Sequence, residues 1–152
     1  MGEFEKDFVM RQIRQLAQLV ARVVLRARSE GQVASGLGQI REAVESCLGM
    51  DYAMLSRIDP ASAALLVHDG EVLRTLAWIA AQEGELHESA GDLVTARHQR
   101  CRAVALYAEC SERFPGEDAA CREAARALAG GAGLELLADK YRRWLGLPAP
   151  AP

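Results

Sequence analysis

The side chains able to do chemistry are few and scattered. Cysteines stand at 47, 101, 110 and 121, and histidines at 68, 87 and 98. A zinc or iron site needs three or four such ligands converging on one point. His98 and Cys101 are three residues apart and share a helix face, but Cys110 lies nine residues further on. That is about two and a half helical turns, which puts it on the opposite side. No CxxC pair is present, so the thiols read as reduced and packed, with no metal. His87 follows Glu83 by four residues and precedes Glu88, without the spacing of a zinc-protease helix. It is expected on a solvated helix face. Neither Gly36-Leu37-Gly38 nor Gly130-Gly131-Ala132-Gly133 follows a strand or leads to a lysine, so no phosphate loop is expected. The first reads as a loosely packed helix start and the second as a linker. No serine has a nucleophile-elbow context. The expectation is a chain with no catalytic residue, no cofactor and no metal, and so not an enzyme.

The elements that position these residues are helical. The chain has 152 residues, of which 50% are hydrophobic and 26% charged, enough for one domain with a real core. Alanine and leucine number 27 and 19, against 16 for valine, isoleucine and threonine together. Straight-chain side chains lose least in a helix, so the expected fold is all-α. A net charge of −3 excludes a dedicated nucleic-acid binder. Sixteen of the 18 basic residues are arginine and asparagine is absent, a bias typical of GC-rich bacterial coding sequences. The longest apolar run is six residues, 76–81, far short of a membrane span. The acidic start lacks the pattern of a secretory signal, so a cytoplasmic location is expected.

Residues 1–146 read as one domain of about five to seven helices. A long helix over 3–28 has acids at its start and arginines at its end, as the helix dipole prefers. A helical middle spans 34–68, with Asp59-Pro60 as a cap followed by proline at the first helical position. A hairpin of two longer helices covers 71–114, turning at Gly91-Asp92. C-terminal helices fill 117–145. In the last of them Leu134, Leu137, Ala138, Tyr141 and Leu145 follow one continuous helical template. Residues 147–152, Pro/Ala-rich, are expected to form a disordered tail.

Gly84, Gly91-Asp92, Leu93, Ala96 and Ala103 carry a resemblance. Small residues at those spacings let antiparallel helices approach, and glycine admits a left-handed turn. On these residues 77–104 resemble one tetratricopeptide repeat, set within the helical bundle. The chain departs from that pattern at Glu83, His87 and Arg100, where the repeat has a large apolar residue and two aromatics. A single repeat does not make a solenoid, so the expected unit is one repeat-like hairpin. Residues 5–17 are similar to the opening of a family of small uncharacterised bacterial proteins with no assigned activity.

Two surfaces follow as candidates. Between Asp69 and Asp92 there are six acids and one base. By the tetratricopeptide resemblance, Trp78, Glu85, Glu88 and Ser89 would line a groove for a basic peptide with an apolar anchor. On the N-terminal helix the apolar arc covers about half the circumference, more than one neighbour needs. It predicts a homodimer through Phe8, Leu16, Leu19, Val20 and Val23, unless the C-terminal helix covers this flank. The functional expectation is a non-catalytic protein–protein interaction domain of adaptor type, its partner unidentified. The alternative is a peripheral membrane or regulatory protein using the basic stripe Arg11, Arg14 and Arg22, though membrane binding is the lesser expectation.

Overall fold

Four aspartates and two arginines mark where this chain starts and stops its helices. The computed structural model describes residues 2–130 and 133–148, and among these it contains eight α-helices and no strand. They are α1 (Glu3–Glu30), α2 (Val33–Leu48), α3 (Tyr52–Leu55), α4 (Pro60–Leu65), α5 (Gly70–Ser89), α6 (Leu93–Arg113), α7 (Asp118–Ala129) and α8 (Asp139–Leu145). Single 3-10 turns occupy Pro115–Glu117 and Leu134–Leu136. The all-α bundle expected from composition is what forms, with short α3 and α4 raising the helix number above the expected range. Asp51, Asp59, Asp69 and Asp92 cap α3, α4, α5 and α6, each accepting hydrogen bonds from backbone N–H groups of the first turn. Each cap satisfies donors that a helix start leaves unpaired.

The carbonyls at the ends of α3 and α4 find partners from far along the chain. Arg102 of α6 donates to Leu55 O and Ile58 O, and Arg113 donates to Ala64 O and Val67 O. Helices this short do not hold themselves in water. The two guanidiniums, eleven residues apart on α6, pin them to the core.

α5 and α6 form the central antiparallel pair. Cys110 Sγ donates to Gly70 O and Gly84 faces the Ala96 carbonyl, so paired positions run in opposite directions. All of residues 103–111 on α6 are buried, because α4, α5, α7 and α8 surround that stretch. Gly91 turns the pair with φ +82, a conformation glycine adopts without strain.

α1 and α2 form a second pair, turned at Gly31. Along α1 the buried positions are Ile13, Leu16, Val20, Val24 and Ala27, one stripe at helical spacing. α2 and α5 cover it. The C-terminal helix expected as the alternative cover of α1 packs mainly on α6 and α7 instead. Gly36 is buried, and a Cβ there would stand 2.7 Å from Ala27 Cβ. The loosely packed helix start expected at Gly36 is thus a point of closest approach.

The C-terminus also differs from the continuous helix expected over 134–145. Leu137 takes an extended backbone between the 3-10 turn and α8. Across this break Leu134 and Leu137 both enter the core, 6% and 5% exposed. The tail expected to be free from 147 is held at its start: Leu147 N–H donates to Arg142 O, and Arg142 donates to Pro148 O. The remainder of that tail, residues 149–152, and part of the expected Gly130–Gly133 linker, residues 131–132, lie outside the described residues.

Candidate functional site

The face expected to bind a peptide is largely satisfied by the chain itself. Trp78 is half-buried and packs against the core. Glu85 is exposed and pairs with Arg28 of α1 at 3.4 Å. Glu88 pairs with Arg100 at 2.9 Å, and the Ser89 hydroxyl donates to Leu86 O. These four residues do not gather around one opening. The residues expected to pair two copies also separate. Leu16 and Val20 are fully buried against the chain's own helices, Leu19 and Val23 are half-buried, and Phe8 is exposed. A second copy therefore has no access to Leu16 or Val20, because α2 and α5 occupy that side.

What α1 leaves outside is its N-terminal end. Phe4 is 85% exposed and Phe8 52%. Beside Phe8 lies an open groove of about 360 Å³ between α1, the end of α2 and the end of α4. Val9, Leu48, Met50, Leu66 and Val72 form its walls. It continues along Phe4 and Glu5. The charged lining residues are Glu5 and Asp69, with no lysine or arginine among them.

A second opening is different in kind. It has a volume of about 200 Å³ and lies between α2, α3, α5 and α6. Leu37 and Arg41 come from α2, Tyr52 from α3, Ser56 from just after it, Glu83 and His87 from α5, and Gln99 from α6. The Tyr52 hydroxyl donates to Glu83 Oε1, and the Ser56 hydroxyl donates to Tyr52 O at 2.7 Å. Burial pushes the Glu83 carboxyl up to about 7, against the opposing pull of the Tyr52 hydrogen bond and of Arg102 and Arg41. Burial, and then the neighbouring Glu83, raise the Tyr52 phenol well above its usual value. Gln99 Oε1 is buried with no hydrogen-bond partner among the described residues. His87 Nδ1 stands 3.9 Å from Asp92 Oδ2, outside the pocket.

The solvated face expected for Glu83 and His87 is therefore corrected. Leu37, Tyr52 and Gln99 enclose Glu83, because α2 and α3 lie across this side of the α5/α6 pair. Sequence reasoning missed Arg41, Tyr52, Ser56 and Gln99, which come from three separate stretches of the chain. One signal was available. Glu83 lies four residues after Ile79 and three before Leu86, on the same helix stripe as these apolar residues.

Other polar groups hold the C-terminal helix. Buried Glu109 accepts from Lys140 Nζ and the Tyr141 hydroxyl, both at 3.0 Å. Arg122 stacks over Trp144 and donates to its carbonyl. All four cysteines are free thiols, Cys110 and Cys121 buried and Cys47 and Cys101 half-buried. The Cys121 hydrogen bond and burial push the Cys110 thiol up, which keeps it protonated and unreactive. Among the described residues no three His, Cys, Asp or Glu side chains converge, and no helix is long and apolar enough to cross a membrane. Comparison with protein-family models, curated proteins and solved structures finds no match to this chain.

Proposed function

We propose that this chain is a non-catalytic helical domain that binds another protein through the apolar groove at the N-terminal end of α1. The observation that carries the reading is the exposure of Phe4 and Phe8 beside a groove walled by Val9, Leu48, Met50 and Leu66. Single exposed apolar residues are ordinary, but a contiguous set around a concavity marks an interaction surface. The start of α1, the ends of α2 and α4 and the loops after them wall the groove, and an amphipathic helix laid across it would bring its apolar face onto Phe8. With Glu5 and Asp69 as the charged lining residues, the favoured occupant presents apolar anchors flanked by lysine or arginine. Basic peptide chemistry was also expected of the Trp78 face, but Glu85 and Glu88 there already pair with Arg28 and Arg100. The membrane alternative is less favoured. An interfacial helix needs its apolar face free, and the Ile13–Leu16–Val20–Val24 stripe of α1 is inside the fold.

Fluorescence anisotropy with a labelled amphipathic helical peptide, leucines on one face and arginines on its flanks, tests the reading. Saturable binding is expected, weakened about tenfold or more by Phe8→Glu. Equal binding of a version with glutamate flanks overturns it. Sedimentation of a dimer dispersed by Phe8→Glu would assign the groove to a second copy. Flotation with anionic vesicles, lost on replacing Arg11, Arg14 and Arg22 by Gln, would assign this end of α1 to a membrane.

A further inference from the structure

We propose that the pocket between α2, α3, α5 and α6 binds a small zwitterion, holding its ammonium group with Glu83 and Gln99 and its carboxylate with Arg41. Three observations lead there. First, the interior of the pocket has surplus acceptors. A carboxylate has about four acceptor positions, and the Tyr52 hydroxyl fills one at Glu83. Gln99 Oε1, lining the same pocket, has none filled by the described residues. A buried acceptor left unpaired is costly, so Gln99 Oε1 calls for a donor, and the Glu83 carboxylate in the same pocket can accept from it too. A primary ammonium supplies three N–H donors from one atom and places a positive charge beside Glu83.

Second, Arg41, the arginine among the lining residues, sits toward solvent. Arg41 is an exposed residue of α2, whereas Glu83 is mostly buried. The two are near enough that Arg41 stabilises the Glu83 carboxylate. Arg102, the other cation acting on Glu83, is committed to the carbonyls of Leu55 and Ile58 and does not line this pocket. Charge is therefore graded, negative inside and positive at the rim. A lone ammonium would meet Arg41 on entry, and a lone carboxylate would meet Glu83 inside. A molecule carrying both groups matches both. Third, size and the remaining wall limit the rest of the ligand. The opening, about 200 Å³, admits only a small molecule. Leu37 offers an apolar surface for a short aliphatic segment. The class is a short-chain amino acid. The binding is simple association with no covalent step, and it does not depend on the α1 groove.

Isothermal titration calorimetry on the full chain tests this with L-norvaline and γ-aminobutyrate, which separate the two charges by different lengths. Butylamine and pentanoate serve as single-charge controls. One zwitterion should bind with a stoichiometry of one, and each single-charge compound about tenfold more weakly or worse. Glu83→Gln and Arg41→Gln should each weaken the zwitterion about tenfold. Arg41 is exposed, so its replacement leaves the fold intact and keeps the test decisive even if Glu83→Gln perturbs packing. Binding unchanged in Arg41→Gln, butylamine binding as tightly as the zwitterions, or no heat from either zwitterion at about 10 mM overturns the proposal.

Discussion

The α1/α2 and α5/α6 pairs are built alike and finished differently. Each turns on a glycine of positive φ, Gly31 and Gly91. Each brings its helices together at a second glycine, Gly36 against Ala27 and Gly84 against the Ala96 carbonyl. Around α5/α6 other helices lie on several sides, and the enclosure takes in polar groups: Glu83, Gln99 Oε1 and Glu109. α1/α2 is covered on one side by α5, and Phe4, Phe8 and Leu25 stay in solvent. A buried acid and an exposed phenylalanine are each unfavourable for folding alone. The two pairs thus carry opposite exceptions to the same packing rule, and both exceptions fall beside an opening.

The largest expected effect tests the shared part of the design. Gly36→Leu places a branched side chain where even a Cβ would stand 2.7 Å from Ala27 Cβ. Neither atom has freedom to move without displacing a helix. A loss of about 3 kcal/mol or more is expected in urea denaturation. A smaller loss would mean that α1 and α2 separate easily, and that their close contact is not comparable to that of α5/α6.

Glu83 tests the polar exception. Its carboxyl is raised from the usual 4.5 to about 7, so the folded chain holds this proton more tightly than the unfolded chain does. The stability it contributes is complete below pH 4.5 and is lost as pH rises through about 7. That shift corresponds to about 3 kcal/mol. Glutamine keeps an acceptor for Tyr52 and does not ionise. Denaturant midpoints at pH 4.5 and pH 8 should show Glu83→Gln gaining on the natural chain by up to that amount as pH rises. Parallel curves would mean that Glu83 is hydrated in the folded state and that the two openings differ less than their linings suggest.

Gly91→Val comes next. No atom crowds a Cβ at Gly91, so the cost is the positive φ alone. A β-branched residue there should lower stability by about 1–3 kcal/mol, visible in thermal melting. An unchanged melting temperature would show that the α5/α6 turn tolerates another geometry.

These exceptions explain how much was legible beforehand. Periodicity and punctuation located the main helices, because Asp59-Pro60, Gly91-Asp92 and Pro115 act within a few residues of themselves. The α1 core stripe was legible for the same reason, but its use was misassigned. Leu16 and Val20 had the right spacing for burial, yet spacing does not say whether the covering helix belongs to the same chain. The pocket was not legible as a pocket. Tyr52 stands 31 residues before Glu83, and Gln99 stands 16 after it, so the α5/α6 hairpin and the packing of α3 across it are both needed to join them. Leu137 was misplaced because a helical template fits Leu134, Leu137 and Tyr141 as well as the observed broken path does.

The smallest expected effect on stability belongs to the apolar exception. Phe4 and Phe8 are 85% and 52% exposed, so replacing both by serine removes little buried surface. Neither is among the buried residues that join α1 to α2 and α5. The double variant should keep its denaturation midpoint within about 0.5 kcal/mol of the natural chain, the usual range for surface positions. Its binding of the arginine-flanked amphipathic peptide should fall by about tenfold or more, since aromatic side chains at a groove supply much of an interface's energy. The two measurements together separate a docking role from a structural one. A loss of more than about 1.5 kcal/mol with peptide binding retained would show that Phe8 closes the groove on behalf of the fold. In that case α1/α2 would have no exposed exception, and the contrast with α5/α6 would reduce to the polar pocket alone.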